Sequence, residues 1–466
     1  MFARFSKERR RCHSKRGGIT LFLAIILAAL VFIESTFVTF VWDLDHRIAV
    51  NRALKAQAEA ILADYNRELF NVYGIYAYSL EGVDDEVFNK VLKANGYDGG
   101  HELTVYGSES LNTDCLKRAI AEYYSYRLPG IAAGILVSQF GEVLKELDKH
   151  GVIDKLKEFK ESGASAYLGD ILNGASSLEQ ILANVDENID ISGILAKSDV
   201  FDSFRKSLKD DCNDLKDGDI NYSLSDADWI LKSLNTFAEF NDYKVDAGAL
   251  TGLQLYTAHY VSYNFDCRLN NDGDASINGT PFSDIHEDNC YDAEHLITGL
   301  DGKASYLMLA SLMHGAMTGI EFLKLRQDKK FTSVISVVAI VLVEIIAAVS
   351  EGSVEIPPKV MEMFLTGLCA AVLGSNDLVK LSKGEKISVF KENDTEFIKV
   401  GYRDFLFSFA ILIPYPQVLP RIREVIERDY GDLYVGTSAV TDYGSYEISC
   451  DKEYLMYTRE AFYESE

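Results

Sequence analysis

Residues Ile19 to Val41, ITLFLAIILAALVFIESTFVTFV, form 23 consecutive positions with a single charge, Glu34. At a rise of ~1.5 Å per residue, a helix of that length matches the ~30 Å hydrocarbon core of a bilayer. The flanks are opposite in sign. The first 18 residues carry seven basic side chains (Arg4, Lys7, Arg9, Arg10, Arg11, Lys15, Arg16) against Glu8, a charge of +6. The remaining 448 residues hold 39 basic and 70 acidic groups, a charge of -31. Because basic residues stay on the cytoplasmic side, residues 1–18 are expected in the cytoplasm and the acidic body outside, with Trp42 as an interfacial anchor. The expectation is a single-pass protein of the cell membrane. A cleaved secretory signal is the rival, but the run is too long for a signal core and no small-x-small site precedes the charges after Trp42.

Composition then narrows the body. A net charge of -25 with 48% hydrophobic residues excludes a disordered chain and a basic nucleic-acid binder. Seven prolines in 466 residues favour helix, since each internal proline removes a backbone donor. From Asp43 to Tyr73 there is no Pro or Gly, and apolar residues recur at near-helical spacing, so the membrane helix is expected to continue unbroken into an amphipathic stalk packed on a head. YGIYAYSLEG (Tyr73 to Gly82) and HELTVYGSES (His101 to Ser110) read as two short strands pairing around a helix at Asp84 to Lys93.

The fold class expected is mostly α with a small mixed sheet (α+β). Along the chain this gives a basic tip at 1–18, a transmembrane helix at 19–42, and a stalk helix with a small αβ unit at 43–112. A helical region at 113–265, a polar loop at 266–291 and a helical C-terminal region at 292–466 follow. That last region breaks at Pro414-Tyr415-Pro416 and ends in a β-hairpin turning at Asp442 to Gly444.

A second apolar run, Phe331 to Ser350, is also long enough to span. Lys324, Arg326, Lys329 and Lys330 would sit on its outer flank, against the positive-inside bias, and Glu344 would cost roughly 2.5 kcal/mol or more inside lipid. A core helix hairpinned through Pro357 and Pro358 onto Val360 to Leu373 is expected instead.

Motifs for chemistry are sparse. There is no P-loop, HExxH or GxSxG, and two S-x-x-K strings lack the partners that an acylating serine needs. No cofactor is expected. Asp272 and Asp274, in a run of alternating oxygen side chains, are weak calcium candidates: Ala275 stands where the loop needs Gly, and Pro281 where it needs Glu. His286, Cys290 and His295 match no standard zinc spacing. Six cysteines lie beyond the membrane run and permit 15 pairings; Cys267 with Cys290 is the bridge expected, and in a reducing habitat all six stay reduced. Glu34, two-thirds along the membrane helix, is either satisfied by a neighbouring helix on assembly or protonated or reached by water near the outer leaflet.

RGGITLFLAIILAALVFIES followed by DYNRELFNVYGIYAYS, with LKRAIAEYYSYRLPG, AEHLITG, NDLVKLSKGEKISVFK and GYRDFLFSFAIL, resembles a family of single-anchor extracytoplasmic proteins of Gram-positive, clostridia-like bacteria. These occur with tight-adherence (Tad/Flp) pilus components, and their N-terminus is similar to TadE/TadG-like pseudopilins. The resemblance implies an accessory role in a pilus or surface assembly, with pilin-like subunits or Tad assembly proteins as partners through the membrane helix, and Gly17-Gly18 as a processing junction. One departure stands out. The Glu that type IV-like pilins carry five residues after the processed Gly is Phe22 or Leu23 here. The function expected is a non-enzymatic surface protein binding the bilayer and its own kind, with no nucleic acid. The alternative is a membrane-tethered sensor or ligand-binding ectodomain, against which an 18-residue cytoplasmic tip is too short for a signalling domain.

Overall fold

The structure is a computed structural model that describes residues 14–83, 86–97, 100–124, 131–173, 198–213, 228–242, 252–269, 291–392, 395–444 and 446–454. It is mostly helical, with antiparallel strand pairing throughout. Two compact units emerge. Unit 1 joins the N-terminal 70 residues, 76–111 and 430–455, and unit 2 holds 71–75, 112–429 and the C-terminal tail.

Unit 1 is built on α1 (Ser14–Ala63), a helix of 50 residues. Only its second half is packed. Ala49, Val50, Ala53, Leu54, Gln57, Ala58 and Ile61 are buried at three- and four-residue spacing, which lays one stripe against its neighbours. The stripe meets Phe88 and Leu92 of α3 (Glu86–Ala94) and the inner face of a sheet at Ala439, Tyr443 and Ile448. Gln57 is buried because its Oε1 accepts from the Phe88 amide at 2.8 Å, taking one of the open donors in the first turn of α3.

The sheet corrects the expected pairing. β1 (Leu103–Ser110) lies beside β4 (Tyr434–Tyr443), which pairs in turn with β5 (Tyr446–Glu453), so this sheet is antiparallel and not mixed. The stretch Tyr73 to Gly82 contributes one isolated bridge, Tyr78 to Tyr434. In β4 the inward set is Val435, Thr437, Ala439, Thr441 and Tyr443, the two-residue period of a half-buried strand. Gly444, at φ 65°, turns the β4–β5 hairpin where it was expected. Both chain ends therefore build one unit, which the linear division at 292–466 does not convey.

The expected unbroken stalk also fails. α1 ends at Ala63, and α2 (Arg67–Tyr73) starts anew. Asn66 is the reason: its Oδ1 accepts from the Leu69 amide at 3.0 Å, an N-cap, while its own amide donates to the Ala77 carbonyl at 2.9 Å.

Unit 2 is a helical assembly with one added hairpin, β2 (Ile387–Glu392) with β3 (Thr395–Val400). Its described helices are α4 (Thr113–Tyr124), α5 (Ile131–Lys149), α6 (Val152–Glu161), α7 (Ser165–Asn173), α8 (Ser198–Asn213), α9 (Asp228–Asp242), α10 (Gly252–Asn264), α11 (Asp292–Thr298), α12 (Gly302–Gln327), α13 (Lys329–Val349), α14 (Pro358–Ser382), α15 (Tyr402–Leu412) and α16 (Tyr415–Tyr430). Asp328 separates α12 from α13 by accepting from the amides of Lys330 and Phe331. α16 begins at Tyr415, so Pro416 sits in its first turn, where no helical donor is needed, instead of marking a longer break. Glycines bring helices close. A Cβ at Gly374 would lie 3.0 Å from the Thr318 amide nitrogen, and one at Gly315 would strike the Ser233 carbonyl.

Candidate membrane and assembly surface

Every described residue from Ile19 to Asp45 is exposed, and the apolar window of α1 has none of its surface buried. Phe32 is 73% exposed and Phe37 67%. A bare apolar cylinder of this length is unstable in water, at roughly 25 cal/mol per Å² of apolar surface, and is at home in lipid. Its hydroxyls suit the same medium. Thr36 Oγ1 donates to the Phe32 carbonyl and Thr39 Oγ1 to the Ser35 carbonyl, each at 2.8 Å, so neither seeks a partner outside the helix. Glu34 differs: among the described residues its carboxylate has no hydrogen bond or ion pair. It lies eight residues, about 12 Å, before Trp42. Gly17 and Gly18 fall within the first turn and a half of α1.

Among the described residues, three helices are long and apolar enough to cross a membrane by length and composition: α1, α13 and α14. The latter two are partly enclosed, with 44% and 72% of their apolar windows buried. α13 buries Ile335, Val338, Leu342, Ile345 and Ile346 on one side and leaves Val334, Ile340 and Val349 exposed. The sheet of unit 1 adds a topological limit. β1 and β4 pair along seven positions from Leu103–Thr441 to Ser110–Tyr434, so both strands occupy the same side of any membrane. The number of crossings between them is therefore even, and α13 alone cannot be one.

Among the described residues, titratable groups gather at two enclosed places in unit 2. His314 is fully buried; its Nε2 donates to the Ala371 carbonyl at 3.1 Å, which obliges Nδ1 to accept from Ser233 Oγ at 2.8 Å. Trp229 stacks on the ring at 5.3 Å. Burial lowers the imidazole pKa to about 4. Glu294 is the second. Its Oε1 accepts from Tyr402 Oη at 2.6 Å and from the Arg268 amide at 3.0 Å, while burial still raises the carboxyl pKa to about 7. Cys267 lies buried nearby, its thiol pushed up to about 12, mainly by desolvation. Its expected partner Cys290 lies outside the described residues, as do Asp272, Asp274 and His286. Among the described residues no group of three or more His, Cys, Asp or Glu is arranged to hold a metal ion. A lone histidine inside an apolar helix gives little signal in sequence, and at the second place only Cys267 and the AEHLITG segment stand out there; the serine at Ser375, 2.9 Å from His314 Nε2 and four residues after Ala371, is the sort of small polar residue that flags a buried hydrogen-bonded cluster.

Unit 1 holds a third cluster, in which the Trp42 ring packs against His46 and Tyr97. His46 stacks on Tyr97 with ring centroids 4.3 Å apart and meets His101 through the two Nε2 atoms at 3.1 Å. The His101 Nδ1 donates to the Asp442 carbonyl at 2.9 Å, so its Nε2 is the acceptor and His46 the donor. Tyr97 Oη donates to Asp45 Oδ2 at 2.7 Å, and Tyr443 Oη to Asp43 Oδ1 at 2.9 Å. Burial, then the neighbouring His101, lowers the His46 pKa, with Asp43 and Asp45 opposing. Comparison with protein-family models, with curated proteins and with solved structures finds no match to this chain.

Proposed function

We propose that this is a non-enzymatic, membrane-anchored surface protein that acts as an accessory or pseudopilin-like subunit of a Tad-type pilus or related assembly. The observation that carries the reading is the bare apolar half of α1, interrupted only by an unpartnered Glu34 and joined without a break to a packed head. In this reading α1 crosses the membrane with residues 1–18 in the cytoplasm and the body after Trp42 outside. The even-crossing limit set by β1 and β4 is compatible with a single anchor, and the partial enclosure of α13 and α14 favours it over a second, hairpinned pair of spans. Assembly is lateral: apolar helices pack side by side, and a polar group on the neighbour satisfies Glu34 where lipid cannot. The pilus association rests on the sequence resemblance.

The test is site-specific photo-crosslinking from positions 25 to 40 in the native host. The expected result is a ladder of adducts containing more than one copy or a second pilin-like subunit. Glu34→Leu is expected to lose those adducts while remaining in the membrane fraction. Monomers alone at every position would refute the proposal.

A further inference from the structure

We infer that the base of unit 1 is itself a lipid-contact surface: Tyr97 and His101, gathered around Trp42 and His46 and backed by the buried Tyr443, rest in the headgroup layer of the bilayer. This rests on α1 being the membrane anchor. It goes further, because an anchor alone leaves the position of the head open.

Distance carries the argument. A bilayer is ~40–45 Å thick with a ~30 Å hydrocarbon core, which leaves roughly 5–8 Å of headgroups on each side. From Ile19 to Trp42 the helix is about 36 Å long, and at the ~20° tilt usual for membrane helices it spans about 34 Å, so it fills the core and brings Trp42 to the outer boundary. His46 follows four residues later, about 6 Å further along the axis, still within the headgroup layer. His46 is also where packing of α1 begins, since it is the first partly buried residue after an exposed run. No spacer separates lipid from head. The rings of Tyr97 and His101 lie 4.3 and 5.0 Å from the His46 ring, separations no larger than the thickness of that layer.

The chemistry of the cluster suits that layer. Tyrosine, tryptophan and histidine combine an apolar body with a polar edge, the character enriched at membrane interfaces. Leu44 at 47% and Ile48 at 42% exposure add apolar surface at the same level. Asp43 and Asp45 would meet lipid phosphates unfavourably, and each accepts a hydrogen bond from a tyrosine hydroxyl of the head. Those two hydrogen bonds have a clear role at a lipid surface and a slight one in open water, where a carboxylate is well solvated.

The experiment places a photoreactive benzoylphenylalanine at 42, 95, 97 or 106 in the full-length chain, reconstituted in nanodiscs of phosphatidylcholine and phosphatidylglycerol. Position 95 is exposed and leaves the Tyr97–Asp45 hydrogen bond intact, which covers the case where substituting Tyr97 disturbs the cluster. Tyr106 is the control: it is 55% exposed in the same unit, and its β4 partner Ser438 lies five residues, about 17 Å, from Tyr443. Phospholipid adducts at 42, at 97 and at 95 are expected, the latter two at least about tenfold above 106. Adducts at 42 with none at 95 or 97, or equal yields at 97 and 106, would overturn the inference. Absence of adducts at 42 would instead overturn the anchor itself.

Discussion

Single side chains in this protein set opposing responses to acid. The folded His314 has its pKa lowered from 6.5 to about 4, so an unfolded chain binds a proton first as pH falls. The stability this represents is present above pH 6.5, is lost between about 6.5 and 4, and is on the order of 3 kcal/mol. His46 has the same sign in unit 1. Glu294 has the opposite sign: its folded pKa is raised from 4.5 to about 7, so its contribution is whole below 4.5 and lost as pH rises through 7. Thermal melting at pH 5 and pH 8 separates the two. Glu294→Gln is expected to remove the alkaline loss and leave the acid loss, whereas His314→Gln does the reverse at lower overall stability. A pH profile unchanged by either substitution would show that neither group is held as the geometry implies. These residues were not legible in advance. The chain shows a lone His inside an apolar helix and a Glu beside a polar loop; only long-range packing, with Ser233 and Ala371 for one and Tyr402 for the other, gives them altered protonation.

At the scale of elements, periodicity located the helices well and their ends less well. The membrane half of α1, the α13–α14 hairpin and the β4–β5 hairpin each rest on local signals, namely an unbroken apolar run, a Pro-Pro turn and a glycine between alternating strands. The interruption between α1 and α2 escaped because the apolar spacing runs on through Leu69 and Tyr73; one asparagine decides it by capping the next helix. Asn66→Ala is therefore expected to destabilise unit 1 by about 1 kcal/mol, read as a lower denaturation midpoint with an unchanged slope. No loss would mean that the Ala77 contact alone sets the break. β1 was recognised as a strand but given the wrong neighbour. Its partner lies some 330 residues later, and nothing within a strand of alternating Thr, Tyr and Ser names a mate at that distance.

The whole molecule is shaped by the asymmetry between a +6 tip and a -31 body on either side of one apolar helix. Joining both chain ends in one sheet adds what the charge pattern could not supply: residues 103–110 and 434–443 are bound to the same compartment, whatever the helices between them do. The proposed anchor and the inferred seating of the head on the headgroup layer are argued from that arrangement. Protease shaving of intact cells, with mass spectrometry of the released and retained peptides, tests it most directly. The account predicts release of peptides from both 43–111 and 430–455, with residues 1–18 retained on the protected side. Release of the basic tip while either body segment stays protected would contradict it.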